Sequence, residues 1–273
     1  MNKLNMFCIT MEPNHLETIR ELNYIPVGLG EKNFSSDWKR DNTGENISHK
    51  NKYYGEYTFH YWLWKNYLER IDNEWIGFCQ YRKFWSIENL NKTSISLENL
   101  NNFVLKEIPN EYQNCEVILG EPMPINKLKM MKVLKRGLKL VLRNPSCLFF
   151  KNKRTIKFHF DMWHGEKYLS EAIKLLDKED KNDFTFFVNN NVSFNPHNMF
   201  ICKSKDLLKN YYSVIFTWLK KCEDLFGFDS LSGYGKTRIY GFLAERFMSY
   251  WFKKNSKCKT MPIIFYDIKK DLN

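Results

Sequence analysis

Residues 77–85 read GFCQYRKFW: an apolar run in strand style passes straight into Tyr81, Arg82 and Lys83 with no Gly, Pro or Asn between. Cations at the carboxyl end of a buried strand suit a phosphate or diphosphate. Arg82 grips it by a two-pronged fork and Lys83 acts as a point charge, with Gln80 and Tyr81 emerging beside them. A strand that simply ends in solvated basic residues would show the same spacing. Proton-transfer chemistry needs a carboxylate or imidazole near the attacking atom, and two segments offer one. Glu245 sits in RIYGFLAER (238–246) among apolar residues, as a general base or as the buried partner of Arg238 or Arg246. In HFDMWHG (159–165), His159, Asp161 and His164 cluster, either as surface polar residues or with Asp161 or His164 in a base or acceptor-binding role. A metal is not expected there, because no histidine pair at i, i+4 and no third strong ligand is evident.

Further polar residues stand where loops meet elements. Asp41, Asn42, Asn46 and Ser48 present groups suited to a ribose or base edge, although turn chemistry also favours them. Glu56 is the only carboxylate in the aromatic stretch before Glu69, and a buried carboxylate needs a partner, for which Arg82 is the candidate. Asn195, His197 and Asn198 precede the apolar MFICK, so Asn198 stands either at the floor of a site or in a polar turn feeding a strand.

The elements that must position these groups follow from periodicity. Segments 3–11, 23–30, 74–81, 115–124 and 199–204 read as strands. Segments 53–71, 166–180, 207–226 and 240–255 carry helical stripes, the first crowded with Tyr and Trp. Alternating strands and helices favour an α/β sheet with ligands at strand ends. A length of 273 residues suits one domain, 1–273, whose core needs no disulfide or metal. Seven scattered cysteines without a C-x-x-C pair read as core residues of a reducing compartment.

Taken in order, DNTGENIS (41–48), KNKYYGEYTFHYWLWKN (50–66), WIGFCQYRKFW (75–85), PHNMFICK (196–203) and RIYGFLAERF (238–247) resemble a bacterial family of capsular and surface polysaccharide glycosyltransferases, formerly described only as a domain of unknown function. The resemblance implies a Rossmann-like fold of the type called GT-A and transfer of a hexose from a nucleoside-diphosphate sugar, UDP being expected, to a glycan hydroxyl. With it, Arg82, Lys83, Tyr81 and Gln80, with Asp41, Asn46, Glu56, Asn198 and Arg238, are expected to bind the donor, while the residues themselves leave Glu245, Asp161 or His164 as the group that acts at the acceptor. Most GT-A enzymes end the central strand in Asp-x-Asp, which holds a divalent metal. No D-x-D occurs in this chain, so fixed cations are expected to replace the metal and no cofactor is expected. Gln80 stands where the family usually has His, and Lys83 where it usually has a second Arg. Gln cannot titrate, and Lys lacks the bidentate fork, which shifts the clamp toward Arg82.

The net charge of +11 is concentrated: no acidic residue lies between Glu121 and Asp161, while eleven Lys and Arg do. Residues 126–158 therefore read as a basic insertion. At 100° per residue the cations of 129–143 share one arc and apolar residues much of the rest, the pattern of a helix lying on anionic lipid. A helix with an ordinary solvated basic face would also fit. The segment suits an enzyme whose acceptor is a growing or lipid-linked glycan. No apolar run is long enough to span a membrane, and the expected location is cytoplasmic, peripheral to the inner face of the membrane. Nucleic-acid binding would require basic and aromatic residues interleaved on one surface, whereas here they are segregated. A non-catalytic membrane scaffold is the remaining alternative.

Overall fold

The computed structural model describes residues 3–72, 74–88 and 95–271. Its strands are β1 (Leu4–Thr10), β2 (Ile25–Gly28), β3 (Lys39–Arg40), β4 (Trp75–Gln80), β5 (Lys83–Trp85), β6 (Val117–Gly120), β7 (Met123–Pro124), β8 (Ser193–Phe194), β9 (Phe200–Cys202), β10 (Cys258–Met261) and β11 (Ile263–Phe265). Seven of them form the main sheet in the order β10-β6-β9-β4-β1-β2-β3, with β5 and β11 continuing beside β4, while β7 and β8 pair separately. β1 runs parallel to β2 and β4, whereas β9 runs antiparallel to both its neighbours, β4 and β6. This is the α/β, Rossmann-like arrangement expected from the alternation of elements.

Both faces of the sheet are covered, as the continuous apolar strands require. Along β1, Phe7 and Ile9 enter one core layer with the long helices Lys205–Phe226 and Ile239–Asn255. Met6 and Cys8 enter the other, with Ile19, Trp75 and Trp85. The period-two alternation of side chains thus feeds two layers from one strand.

Two local departures from the periodicity matter for the site. GFCQYRKFW does not run out into solvent, because β4 reverses through Tyr81 and Arg82 into β5, with Gln80 opposite Lys83. The aromatic stretch 53–71 is not one helix either. It is broken into Asn51–Tyr54, Tyr57–Trp62, a π-helical turn Leu63–Tyr67 and a 3-10 turn Leu68–Arg70. The first break falls at Gly55, whose φ of 60° is a conformation that disfavours any side chain.

Candidate active site

A cleft of about 340 Å³ opens where β1 and β4 end. Its floor comes from Thr10, Met11 and the β4–β5 reversal, Gln80 to Lys83. The facing wall comes from His197 and Asn198, which lead into β9, and from Arg238, Phe242 and Glu245 around the start of the helix Ile239–Asn255. Because β9 is antiparallel to β4, its first residues reach the same edge at which β4 finishes. Carboxyl ends of parallel strands are where open α/β sheets bind ligands.

Glu56 is the hub of this cleft. Its Oε1 accepts from Asn198 Nδ2 at 2.9 Å and Gln80 Nε2 at 3.3 Å, and its Oε2 accepts from Arg238 Nη2 at 3.1 Å. Gln80 also donates to the His197 carbonyl at 3.0 Å and accepts from Lys83 Nζ at 3.0 Å. The expected partner of Glu56, Arg82, is replaced by Arg238. The break at Gly55 leaves room for this: a Cβ there would lie 2.1 Å from Arg238 Nη2 and would push the guanidinium from its present position beside the carboxylate. Lys83 is largely withdrawn from water, and burial pulls its ammonium below the usual lysine range, while the negative charges of Glu56 and Glu245 act in the opposite sense.

Glu245 faces the same cleft from the opposite wall. Its Oε1 accepts from the His197 backbone N–H at 2.6 Å and its Oε2 accepts from Arg246. His197 and Asn198 both adopt positive φ, 80° and 51°, a strained turn that aims one backbone donor at Glu245 and one carbonyl at Gln80. The His197 imidazole is held neutral, its pKa lowered to about 3 by burial and then by the charge of Lys83.

Asp161 and His164 do not line the cleft. Both are buried, in the helix Ile156–His164. His164 stacks on Phe242 at 4.0 Å and, with His159, lies 3.5 Å from Arg246 Nη2. Burial first, then the charge of Arg246, lowers His164 to about 2 and His159 to about 3. Asp161 pairs with Lys157, and its own pKa is raised by burial. The two imidazoles border Arg246, which is itself 2% exposed and holds Glu245 from behind.

Arg82 stands at the cleft mouth, 54% exposed, its Nε 3.1 Å from Asp267 Oδ2 and its guanidinium over the Tyr81 ring at 4.6 Å. Tyr81 in turn stacks against His15, which contacts the Thr10 hydroxyl at 2.8 Å. A second, wider opening shares Met11 and Asn51 with the cleft and continues past Phe34, Arg40, Asn42 and Ser48. Asp41 lies beneath this region, buried, without well-formed hydrogen bonds from any described residue; burial raises its pKa, with Thr58 and Arg40 opposing. Asn46 turns inward on its loop, its Oδ1 accepting from the Ser48 hydroxyl at 2.9 Å and its Nδ2 donating to the Gly44 carbonyl. It lines neither opening.

The sequence reading missed the exposed Tyr234 at the rim, Phe242, and the C-terminal segment that brings Asp267 to Arg82. The continuous apolar run of MPIIFY (261–266) is the signal that marks β11.

A family model described as Domain of unknown function (DUF4422) matches residues 7–256. The chain belongs to this family. No curated protein matches it. Among solved structures, the DUF4422 chain is similar to the apo structure of the bifunctional glycosyltransferase WbbM, with a TM-score of 0.64 and 18% sequence identity. The similarity covers 97% of this chain and 45% of that one, so the chain spans less than half the length of the protein whose fold it shares.

The donor set of the DUF4422 cleft does not fit a divalent metal. β4 ends in Gln, Tyr, Arg and Lys rather than in carboxylates, and the two cleft carboxylates, Glu56 and Glu245, are each already paired with an arginine. A divalent cation at a diphosphate is held by one or two carboxylates beside the substrate's phosphate oxygens, and neither cleft carboxylate is free of an arginine.

Proposed function

We propose that this cleft transfers a hexose from a nucleoside-diphosphate sugar, a UDP-sugar in the first instance, to a hydroxyl of a bacterial capsular or surface glycan without a divalent metal. The observation that carries the reading is the meeting of three cations, Arg82, Lys83 and Arg238, with two positioned carboxylates at the ends of β1 and β4. The family and the glycosyltransferase fold support it. Lys83 and Arg82 neutralise the charge that develops on the departing diphosphate. A fixed cation in a partly dry cleft does this without reorganising at the moment of reaction. Glu56 keeps Arg238 and the Gln80–Lys83 pair in place. The nucleoside extends along the second opening past Asn42 and Ser48, above Asp41.

Glu245 is the carboxylate placed to take the acceptor proton. As the acceptor oxygen bonds to the anomeric carbon, the bond to diphosphate breaks and the hydroxyl proton passes to Glu245, whose anionic form Arg246 and the His197 N–H hold ready. His164 acts through Arg246 rather than on the acceptor, and Asp161, buried against Lys157, takes no part there. A thermal-shift panel of UDP-, GDP-, CDP- and TDP-sugars in EDTA tests the donor class. Stabilisation by one nucleoside series supports the reading, and no response to any of them overturns it.

A further inference from the structure

The basic insertion builds a surface that the catalytic reading does not use. Its helix, Met130–Arg143, bends at Gly137 and packs inward through Val133 and Val141, which form a small core with Cys147 of the following turn. Arg154, counted by sequence among the free cations, is buried instead. It donates to the carbonyls of Cys147 at 2.7 Å, Leu128 at 3.0 Å and Leu148 at 3.1 Å, and so clasps both ends of the insertion. The surface is therefore preformed rather than a floppy basic tail.

What remains outside is doubly distinctive. Met131, Leu138 and Leu142 are exposed at 76%, 54% and 71%; Leu138 and Leu142 lie one helical turn apart beyond the bend at Gly137, and Met131 precedes it. Lys135 and Lys139 are exposed on the same helix, while Lys132 lies over the Trp163 ring at 4.9 Å; Phe149 and Phe150, also exposed, follow in the chain with Lys151 and Lys153. An apolar stripe bordered by cations, with no acidic residue from 122 to 160, is costly in water, but it suits an interface whose interior is apolar and whose rim is anionic. No helix among the described residues is long and apolar enough to cross a membrane, so the contact is one of lying on the surface.

We propose that the insertion docks the protein onto an anionic lipid bilayer, with Met131, Leu138 and Leu142 entering the headgroup boundary and the adjoining lysines meeting lipid phosphates. A polyanion such as nucleic acid would satisfy the lysines but leave the stripe in water, and a second copy of the chain would bring like charges together.

The test is co-sedimentation of the full chain with phosphatidylcholine vesicles, with and without phosphatidylglycerol, at low and high salt. Binding is expected only to the anionic vesicles and to weaken with salt. Met131→Ser, Leu138→Ser and Leu142→Ser combined should lower partitioning at least about a hundredfold. Lys135→Gln and Lys139→Gln should each lower it about fivefold. These side chains are exposed, so thermal stability and donor binding are expected to be unchanged, which separates failure of docking from failure of the transferase reading. The proposal is overturned if the wild-type chain ignores anionic vesicles. It is equally overturned if the triple serine variant still binds them while DNA competes, or if the stripe proves to mediate a concentration-dependent dimer.

Discussion

Glu56→Gln keeps the size of the hub side chain and removes its charge. The carboxylate has two acceptor oxygens, one serving Asn198 and Gln80 and the other serving Arg238. A glutamine has one oxygen and one NH₂, so either rotamer sets a donor against a donor. With the oxygen toward Arg238, the NH₂ meets two amide donors; with the oxygen toward Asn198, the NH₂ meets the guanidinium. A lost hydrogen bond to a charged group is worth about 1.5–3 kcal/mol. Arg238 is 36% exposed, so water recovers part of that, and a net destabilisation of about 1–2 kcal/mol is expected. The functional effect should exceed the structural one, because Arg238 and the Gln80–Lys83 pair lose their common anchor. Lys83 also loses a neighbouring negative charge and titrates lower still. Urea denaturation reads the stability, and calorimetric titration with a UDP-sugar reads the site, where affinity should fall about tenfold or more, equivalent to about 1.4 kcal/mol. Stability and affinity both unchanged would refute the role given to Glu56.

Gly55→Ala should act through the same anchor. The Cβ collides with Arg238 and the backbone resists φ 60°, so loss of donor affinity and a destabilisation of about 1–3 kcal/mol are expected on urea titration. Acid should unfold the protein early. His60, His159 and His197 have folded pKa values of about 3 and His164 about 2, all below the ordinary 6.5. The unfolded chain therefore takes up protons that the folded chain refuses. Stability is full above pH 6.5 and falls as pH drops from there toward 3. The raised pKa values of Asp41 and Asp161 act in the opposite sense, because the folded chain binds those protons before the unfolded chain does. A melting temperature flat from pH 8 to 7 and dropping steeply below 6 is the expected profile, and one that stays flat to pH 4 would contradict the burial of these imidazoles.

Much of the scaffold was legible because its strands are continuous apolar runs and its two longest helices carry wide apolar faces. GFCQYRKFW announced a strand with cations at its end, and Glu245 announced an inward carboxylate in a helix. What periodicity does not encode is the reversal that folds Lys83 back over Gln80, or the break at Gly55 that gives Glu56 to Arg238 rather than Arg82. Both depend on partners more than a hundred residues away, as does the pairing of Arg82 with Asp267. Asp161 and His164 look free in sequence because the sequence does not show that their helix is buried, with Arg246 of another helix beside His164. Asn46 looks like a ligand for the same reason that it caps its loop: a short amide beside a turn serves both ends.

The central claim is that the chain's own cations hold the donor diphosphate. Calorimetric titration of UDP-sugar into wild-type, Arg82→Ala and Lys83→Ala proteins, in buffer containing EDTA and again with Mn²⁺, tests it directly. Binding in EDTA that Mn²⁺ does not strengthen, and that falls tenfold or more in each variant, is the result expected. Binding that requires Mn²⁺, or that survives both substitutions intact, would contradict it.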